Sequence, residues 1–522
     1  MHDLVRHKPI WSDDRETAQY PPLTSNLSID VAVIGGGITG VTTALLLKRS
    51  GLRVALVTGG RLGSGTTGAT TAHLSSLPDL DLITLTDKFG VDAARLTLGS
   101  LQAAIYQIQT LAAEVGPSAQ FQSVPGFRFT ETPDGIDQLR NEAIAAQELG
   151  LTHELNFTSD LPFRILACLR IENQAIFHPL HYLDGLATLI PGNGSYIFEN
   201  SHVEHFEDGS PSRVYTQRGE LSAHSIVLST HSPVGVFLPL HTRVSAYQSY
   251  VMAFEAPAMQ TLGTYFDTSQ PYFYLRPLSA QHPQTWIVGG CDHHTGQIDD
   301  TEKMFDLLES YIRVRFDRPR LLYRWSNELF TSVDGLPYIG KIPFRSHLYT
   351  ATGFAGVGMT FGTLAAQINS DLILGRTNQY AEIYSPSRVK PLASGWRFAK
   401  ENLNVFRWYI GDRVSASEHK SLEDISRGEG QLITLAGKKY AIYCDDHGFL
   451  HVFSPACTHM GGTVHWNAAE RTWDCPLHGG RYRCTGQVFE GPPLQDLSTE
   501  SLHLPEPGNP ILEDPGPIPL RP

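Results

Sequence analysis

The pattern of apolar and polar positions divides the chain into regions of different texture. Asp30–Ile34 is a short β-branched run, Gly35 to Gly40 a turn, Val41–Arg49 an apolar helix stopped at Gly51, and Arg53–Val57 a second apolar run. Together they predict a β-α-β unit. Between about 80 and 190 the spacing is mainly helical, and Ala93–Val115, rich in Ala, Leu and Gln, is the longest such piece. Strand patterns return at Ser222–Thr230, Val244–Glu255, Tyr272–Leu275 and Thr285–Val288, with helical spacing over Thr301–Arg315. Leu348–Thr352 reads as a strand that leads through a Gly-rich turn into a helix from about Thr360 to Leu374. Residues 376–405 scatter Asn, Pro, Ser and Gly and read as a linker region. From 406 to 500 short strands (QLITLAG, KYAIYC, FLHVFS, TWDCP, GQVFEG) alternate with turns, which predicts an all-β module. The first 26 residues read as an irregular lead-in and Pro505–Pro522 as an extended, Pro-rich tail; no internal repeat is visible.

Composition narrows the class. A chain of 522 residues corresponds to about three domain-sized units at roughly 100–200 residues each. With 41% hydrophobic and 18% charged residues it is neither disordered throughout nor dependent on disulfides. The formal charge of -13 argues against a partner bound through a phosphate backbone, so nucleic acid is not expected. The most apolar stretch, Val31–Leu47, is interrupted by glycines and threonines and is not read as a membrane span. The N-terminal residues lack an apolar h-region, and a cytoplasmic setting is expected. Cys168 and Cys291 stand alone, whereas Cys444, Cys457, Cys475 and Cys484 crowd toward the C-terminal end among histidines, as metal chemistry would have it.

Two constellations carry chemistry. DVAVIGGGITGVTTALLLKRSGLRVALV holds G-x-G-x-x-G at Gly35, Gly37 and Gly40, with a strand before and a helix after. The first glycine makes the tight turn, the second lets backbone approach a pyrophosphate, and the third lets helix and strand pack closely. The helix N-terminus then offers N–H groups and a positive dipole end to phosphate. The alternative is a Gly-rich structural turn. No acidic residue follows before Asp79, so either Thr58 contacts the ribose or Arg61 accepts a 2′-phosphate, the latter meaning NADP. Further on, Cys457-Thr-His459 and Cys475-Pro-Leu-His478 supply two thiolates and two imidazoles in Gly/Pro loops, a set that suits structural zinc or a Rieske [2Fe–2S] centre.

The stretch Gly63–Ser76, GSGTTGATTAHLSS, resembles the flavin-contacting segment of the FAD-dependent amine and amino-acid oxidase family. SIVLSTH (Ser225–His231), VDGLPYIG (Val333–Gly340) and GFAGVGMTFGTLAAQINSDLILG (Gly353–Gly375) resemble that family's later FAD segments, in the same order. The resemblance covers roughly residues 25–390 and favours FAD over NADP. It implies flavin contacts at Thr66, Thr67, Gly68, Gly353, Gly358, Met359 and Thr360, and a backbone contact to adenine at Val203. A helix N-terminus after Gly353, Gly356 and Gly358 would stabilise negative charge on a reduced flavin. His73 lies where relatives carry a Lys beside the flavin, and Tyr274 and Arg276 lie on a strand that could face the ring. These three are the candidate catalytic residues, with Arg276 a candidate two-bond clamp for a substrate carboxylate. Cys291 replaces an acid common in relatives and reads as a buried structural thiol.

Residues 406–500 resemble a Rieske domain, which implies Cys457 and Cys475 on one iron and His459 and His478 on the other. The loop cysteines that form a bracing disulfide in fused flavoenzymes are Gly462 and Leu477 here, the Ser that bonds a bridging sulfide is Gly480, and Tyr482 stands at the aromatic position near a ligand sulfur. Fewer hydrogen bonds to sulfur place the expected potential low in the Rieske range of about −150 to +300 mV.

The expected fold class is therefore an α/β, Rossmann-like FAD-binding domain interleaved with an α+β substrate domain, plus a C-terminal all-β Rieske domain. The expected boundaries are a lead-in (1–26), FAD segments (27–76, 195–235, 330–375), substrate segments (77–194, 236–329), a linker (391–405), the Rieske domain (406–502) and the tail (503–522). The expected function is oxidation of a C–N bond in an amine or amino acid, with electrons passed through the cluster to an external one-electron acceptor. The alternatives are an electron-transfer reductase serving a partner oxygenase, and a redox sensor in which the cluster gates the flavin site.

Overall fold

Leu27–Ile34 is apolar on both faces, with Val31, Ala32 and Val33 fully buried, and so forms the centre of a parallel sheet. It pairs in parallel with Glu220–Leu228 on one side and Val54–Val57 on the other. Leu348–Thr352 and the antiparallel Tyr338–Lys341 extend the first side, and Tyr196–Phe198 the second. Strands far apart in sequence are thus neighbours, and the chain must leave this sheet and return to it twice. The computed structural model describes residues 5–13, 15, 18–235, 238–258, 261–388, 391–414, 422–435, 437–502 and 518–519, so most of the Pro-rich tail lies outside the described residues.

The helix Ile38–Arg49 follows the central strand. Gly35 has φ +116°, and a Cβ on it would overlap the Ser229 carbonyl. A Cβ on Gly40 would overlap the Gly35 carbonyl oxygen, and one on Gly362 would lie 2.7 Å from Thr39 Oγ1. Three bare backbones therefore let the strand, its helix and the later helix Gly358–Ile373 meet at one point.

The two excursions build a second, mixed sheet. In it Arg320–Ser332, Val244–Glu255, Thr285–His294, Phe273–Pro277, Thr264–Asp267, Gln122–Thr130, Ala167–Ile176 and His73–Leu74 lie in that order. The helical reading of 80–190 holds for Leu82–Phe89, Val91–Val115, Pro133–Glu148 and Pro179–Ala187 but not for Gln122–Thr130 and Ala167–Ile176, which pair with each other. Polar side chains on their outer faces break up the apolar runs. Arg128, for example, reaches across to Glu142 of the helix Pro133–Glu148 at 2.6 Å.

The chain divides into two compact units, the first being Met1–His231, Ser249–Asp292 and Met304–Gly395, and the second Ser232–Gln248, His293–Lys303 and Trp396–Pro522. The second holds two antiparallel sheets, one containing Gly430–Leu435, Lys438–Cys444 and Phe449–Phe453, the other His465–Asn467, Thr472–Asp474, Arg481–Arg483 and Val488–Glu490. The stretch read as a linker is instead the helix Pro391–Val414. Its anchoring is tertiary: Val405, Trp408 and Tyr409 pack on the core of this unit, and buried Glu401 accepts hydrogen bonds from Ser245 Oγ (3.0 Å) and Tyr247 Oη (3.3 Å). Two segments read as substrate domain also pack within this unit, with Ala469 N donating to Thr301 Oγ1 and Asn467 Nδ2 to Gln248 Oε1. No helix among the described residues is long and apolar enough to cross a membrane.

The crowding at Gly40 makes Gly40→Ala the sharpest test of the three-way junction. It should destabilise the protein by about 1–3 kcal/mol or more and yield protein with less bound flavin, read from the melting temperature and the flavin-to-protein absorbance ratio.

Candidate functional site

The first part of the site is a cradle around the N-terminus of Ile38–Arg49. Gly63–Gly68 folds back onto it: Gly63 N donates to Gly36 O at 2.9 Å, and Ile38 N donates to Thr67 Oγ1 at 3.1 Å. Thr66 Oγ1 lies 3.0 Å from His231 Nδ1, which brings in the segment after Glu220–Leu228. The predicted residues Gly35, Gly37, Gly40, Thr66, Thr67 and Gly68 are thus assembled. Gly358, Met359 and Thr360 open the helix Gly358–Ile373, whose Gly362 abuts Ile38 and Thr39. Gly353 precedes it with φ +79°. The hydroxyls of Thr42, Ser229 and Thr360 are buried without a protein partner, as fits side chains that face a bound cofactor.

Thr58 and Val203 lie close in the fold, since Ser201 N donates to Thr58 O at 2.9 Å and Val203 opens the next strand. Arg61 is not held out for a 2′-phosphate. It lies 3.5 Å from the buried carboxylate of Glu199, which also takes the amide of Leu62 at 2.8 Å.

The substrate-side candidates also come together. The rings of His73 and Tyr274 meet edge to face at 5.6 Å, and burial, reinforced by the charge of Arg276, holds the His73 pKa well below its ordinary value. Its Nδ1 lies 3.0 Å from Thr71 Oγ1, and its Nε2 makes no hydrogen bond of ordinary geometry. Tyr274 Oη lies 3.1 Å from Ser249 Oγ. Arg276 departs from its expected use. Nε donates to Thr71 O and Nη1 to Pro277 O and Leu278 O, which leaves only Nη2 without a partner. No adjacent pair of its nitrogens remains for a two-bond carboxylate clamp. Sequence reasoning missed Asp292, which sits beside Cys291 in GGCDHHTG and accepts a hydrogen bond from Tyr272 Oη at 2.9 Å. Cys291 itself is buried, and its thiol pKa is pushed up to about 12 by burial and by Asp292.

In the second unit the four predicted ligands divide into a thiol pair and an imidazole pair. Each loop is closed by its own backbone: Cys457 N donates to Gly462 O and Cys475 N to Gly480 O, both at 2.8 Å. The Cys457 thiol is drawn down to about 7, by its hydrogen bond with Cys475 first and by Tyr482 as well. Tyr482 Oη lies 3.2 Å from Cys457 Sγ. His459 and His478 have ring centroids 5.2 Å apart, and burial depresses their pKa values to about 3 and about 4. Both rings are thus neutral, as metal ligands must be. Both nitrogens of His459, and Nδ1 of His478, are buried without a protein partner, which fits a bound group between the loops. The thiols and the imidazoles thus form two separate pairs, as a [2Fe–2S] centre asks. The ring of His241, far in sequence from both loops, also packs on His459 and His478, at 4.4 and 5.5 Å.

The positions of the missing disulfide do face each other. A Cβ on Gly462 would lie 2.5 Å from Leu477 Cδ1, so the leucine fills the space and joins Cys457 and Cys475 in one apolar cluster.

A dinucleotide cradle and a paired thiol–imidazole centre define a flavin- and iron–sulfur-dependent oxidoreductase. The chain belongs to the FAD dependent oxidoreductase (DAO) family, whose model matches residues 30–372, and it carries a Rieske [2Fe-2S] domain matched over residues 417–501. Its cofactors are FAD and a [2Fe–2S] cluster. It is 30% identical over 94% of its length to 97% of the Bacillus subtilis (strain 168) protein YhfW, which is named for a Rieske 2Fe-2S centre. It is 22% identical over 70% of its length to 88% of the gamma-glutamylputrescine oxidoreductase of Escherichia coli (strain K12). Among solved structures, glycine oxidase from Geobacillus kaustophilus shares the fold over 69% of this chain and 99% of its own (TM-score 0.58, 19% identity). L-proline dehydrogenase from P. horikoshii does so over 70% and 98% (TM-score 0.56, 16% identity).

Two variants test the cluster loops. Tyr482→Phe removes a hydrogen bond that favours the reduced cluster, so the potential should fall by roughly 40 mV, the one-electron equivalent of about 1 kcal/mol, in an EPR-monitored titration. Leu477→Ala should destabilise the loops by about 2–5 kcal/mol and speed loss of the cluster signal on warming, with the flavin spectrum unchanged.

Proposed function

We propose that this oxidoreductase acts as a dehydrogenase on the C–N bond of an amine or amino acid and passes electrons singly through the cluster to an external acceptor. When bound, the flavin supplies two-electron oxidation and the cluster one-electron transfer. In this reading the glycine cradle and the N-termini of Ile38–Arg49 and Gly358–Ile373 bind and orient the FAD. His73 and Tyr274 form the wall of the substrate site, and neutral His73 is poised to accept or hold a hydrogen bond at Nε2. Cys457 and Cys475 hold one iron, and His459 and His478 the other.

The carrying observation is the set of buried polar atoms without protein partners that adjoins the flavin-contacting segment: His73 Nε2, Arg276 Nη2 and Asp292 Oδ1. Such atoms are costly unless a ligand satisfies them. A reductase module with no substrate of its own gives no reason for them. The likeness to gamma-glutamylputrescine oxidoreductase, a protein named for an amine conjugate, supports the same reading. Cysteines that form no disulfide among the described residues suit a cytoplasmic setting.

Anaerobic mixing of the holoenzyme with a panel of amines and amino acids tests it. At least one compound should bleach the flavin band and then raise the EPR signal of the reduced cluster. Rapid reduction by a nicotinamide with no bleaching by any amine or amino acid would establish the reductase reading instead.

A further inference from the structure

Five elements of the first unit converge beside the flavin-contacting segment. His73 lies within that segment and touches Phe266 and Tyr274, with ring centroids at 5.3 and 5.6 Å. Phe266 and Tyr274 are register partners on adjacent strands, with rings 6.3 Å apart, and Tyr272 lies 6.1 Å from Tyr274. Tyr274 can lie over its neighbouring strand because residue 289 is glycine, where any Cβ would collide with the phenol ring. Ser249 holds the Tyr274 hydroxyl, and Asp292 holds that of Tyr272.

The charge in this cluster is of one sign. Asp292 feels burial, hydrogen bonds from Ser249 and Tyr272, and the negative charge of Asp79. Asp79 in turn accepts the amide of Gly356, which ties the cluster to the Gly-rich loop before Gly358–Ile373. Burial and Asp79 push the Asp292 pKa up to about 6, and the hydrogen bonds from Ser249 and Tyr272 oppose that shift. Its Oδ1 is shut off from solvent and has no hydrogen-bond partner. Independently, His73 is only 8% exposed and has an unpartnered Nε2 on a ring directed at the same aromatic side chains. Arg276, whose charge acts on His73, is held by three donors on backbone carbonyls, and it is not among the groups that shift Asp292.

A carboxylate oxygen shut off from solvent, with a free lone pair and no opposite charge acting on it, is costly. Aromatic faces around it add attraction for a cation. We infer that this cluster receives a cation: the substrate presents an ammonium group to Asp292 and the rings of Phe266, Tyr272 and Tyr274, and no substrate carboxylate is clamped there. The substrate class is thereby an amine without an anchored α-carboxylate. This deepens the C–N reading and rests on it only in taking the ligand to be the substrate.

The test uses oxidised holoenzyme and two non-reacting probes of similar size and opposite charge, tetramethylammonium and pivalate, titrated while the flavin absorbance is followed. Tetramethylammonium should perturb the flavin band saturably and bind at least tenfold more tightly than pivalate. Asp292→Asn should weaken it at least tenfold with the flavin and cluster spectra unaltered. Equal or tighter binding of pivalate, no perturbation by the cation, or an unchanged cation affinity in Asp292→Asn would each overturn the inference. If pivalate is preferred while amino acids still bleach the flavin, the inference fails and C–N oxidation stands. If the cation binds through Asp292 while no amine bleaches the flavin, the C–N reading fails and the cation site stands.

Discussion

The FAD-binding half depends on one steric condition, the contact of backbone with backbone at the start of Ile38–Arg49. The Gly35 carbonyl occupies the place where a Gly40 side chain would be, and Thr39 occupies the place of a Gly362 side chain. Because neither Gly40 nor Gly362 carries a side chain, the N-termini of two helices reach the same point at the end of the central strand of the parallel sheet. The chain meets that condition in three passes: Leu27–Ile34, then Glu220–Leu228, then Leu348–Thr352, adjacent in the sheet and distant in sequence. The interleaving of cofactor and substrate segments follows from this order. Each excursion must start and end at the cradle, so its residues are delivered beside the flavin.

The second unit is organised around charge rather than bare backbone. The loop of Cys475 and His478 springs from strands of three residues, too short to be stable alone. Behind them Arg481 is almost fully buried between Asp474 (3.1 Å) and Glu490 (3.0 Å), and Asn467 Nδ2 donates to Asp474 at 2.8 Å and to Gln248 at 3.1 Å. Such a network is worth little net stability relative to an apolar core, but removing one member strands the rest. It fixes Asp474, and therefore Cys475 next to it, in one position. The apolar contact of Leu477 with Gly462 does from the front what a covalent bridge would otherwise do.

What could be read in the sequence was what chemistry forces to be local. G-x-G-x-x-G and the Cys–His pairs are dictated by turns that a few consecutive residues make, and both assembled as their spacing implied. The helix Pro391–Val414 could not be read this way. Its Pro, Ser, Gly and Asn look like a linker, and what holds it is Glu401 meeting Ser245 and Tyr247, some 150 residues away. Arg276 shows the same limit from the other side. Its place on the strand was legible, but not that Thr71 O, Pro277 O and Leu278 O would occupy its donors. Asp292 carries no local signal, since a lone Asp after Cys291 matches no motif. Only the fold shows that Asp292, one position on, turns a solvent-excluded oxygen into the ring cluster.

The loss of a serine at position 480 is likewise more than a substitution. A Cβ on Gly480 would lie 2.8 Å from Pro493 Cδ and 3.3 Å from Cys457 Sγ. The proline ring is stiff and cannot yield as a long side chain could, so packing as well as sequence excludes a hydroxyl there. Tyr482 is then left as a side-chain donor to the sulfur of Cys457, from the other face of the loop. Each hydrogen bond to sulfur favours the reduced cluster, because reduction adds negative charge. A site that excludes one such donor by steric means leaves its potential more dependent on the Tyr482 hydroxyl at Cys457.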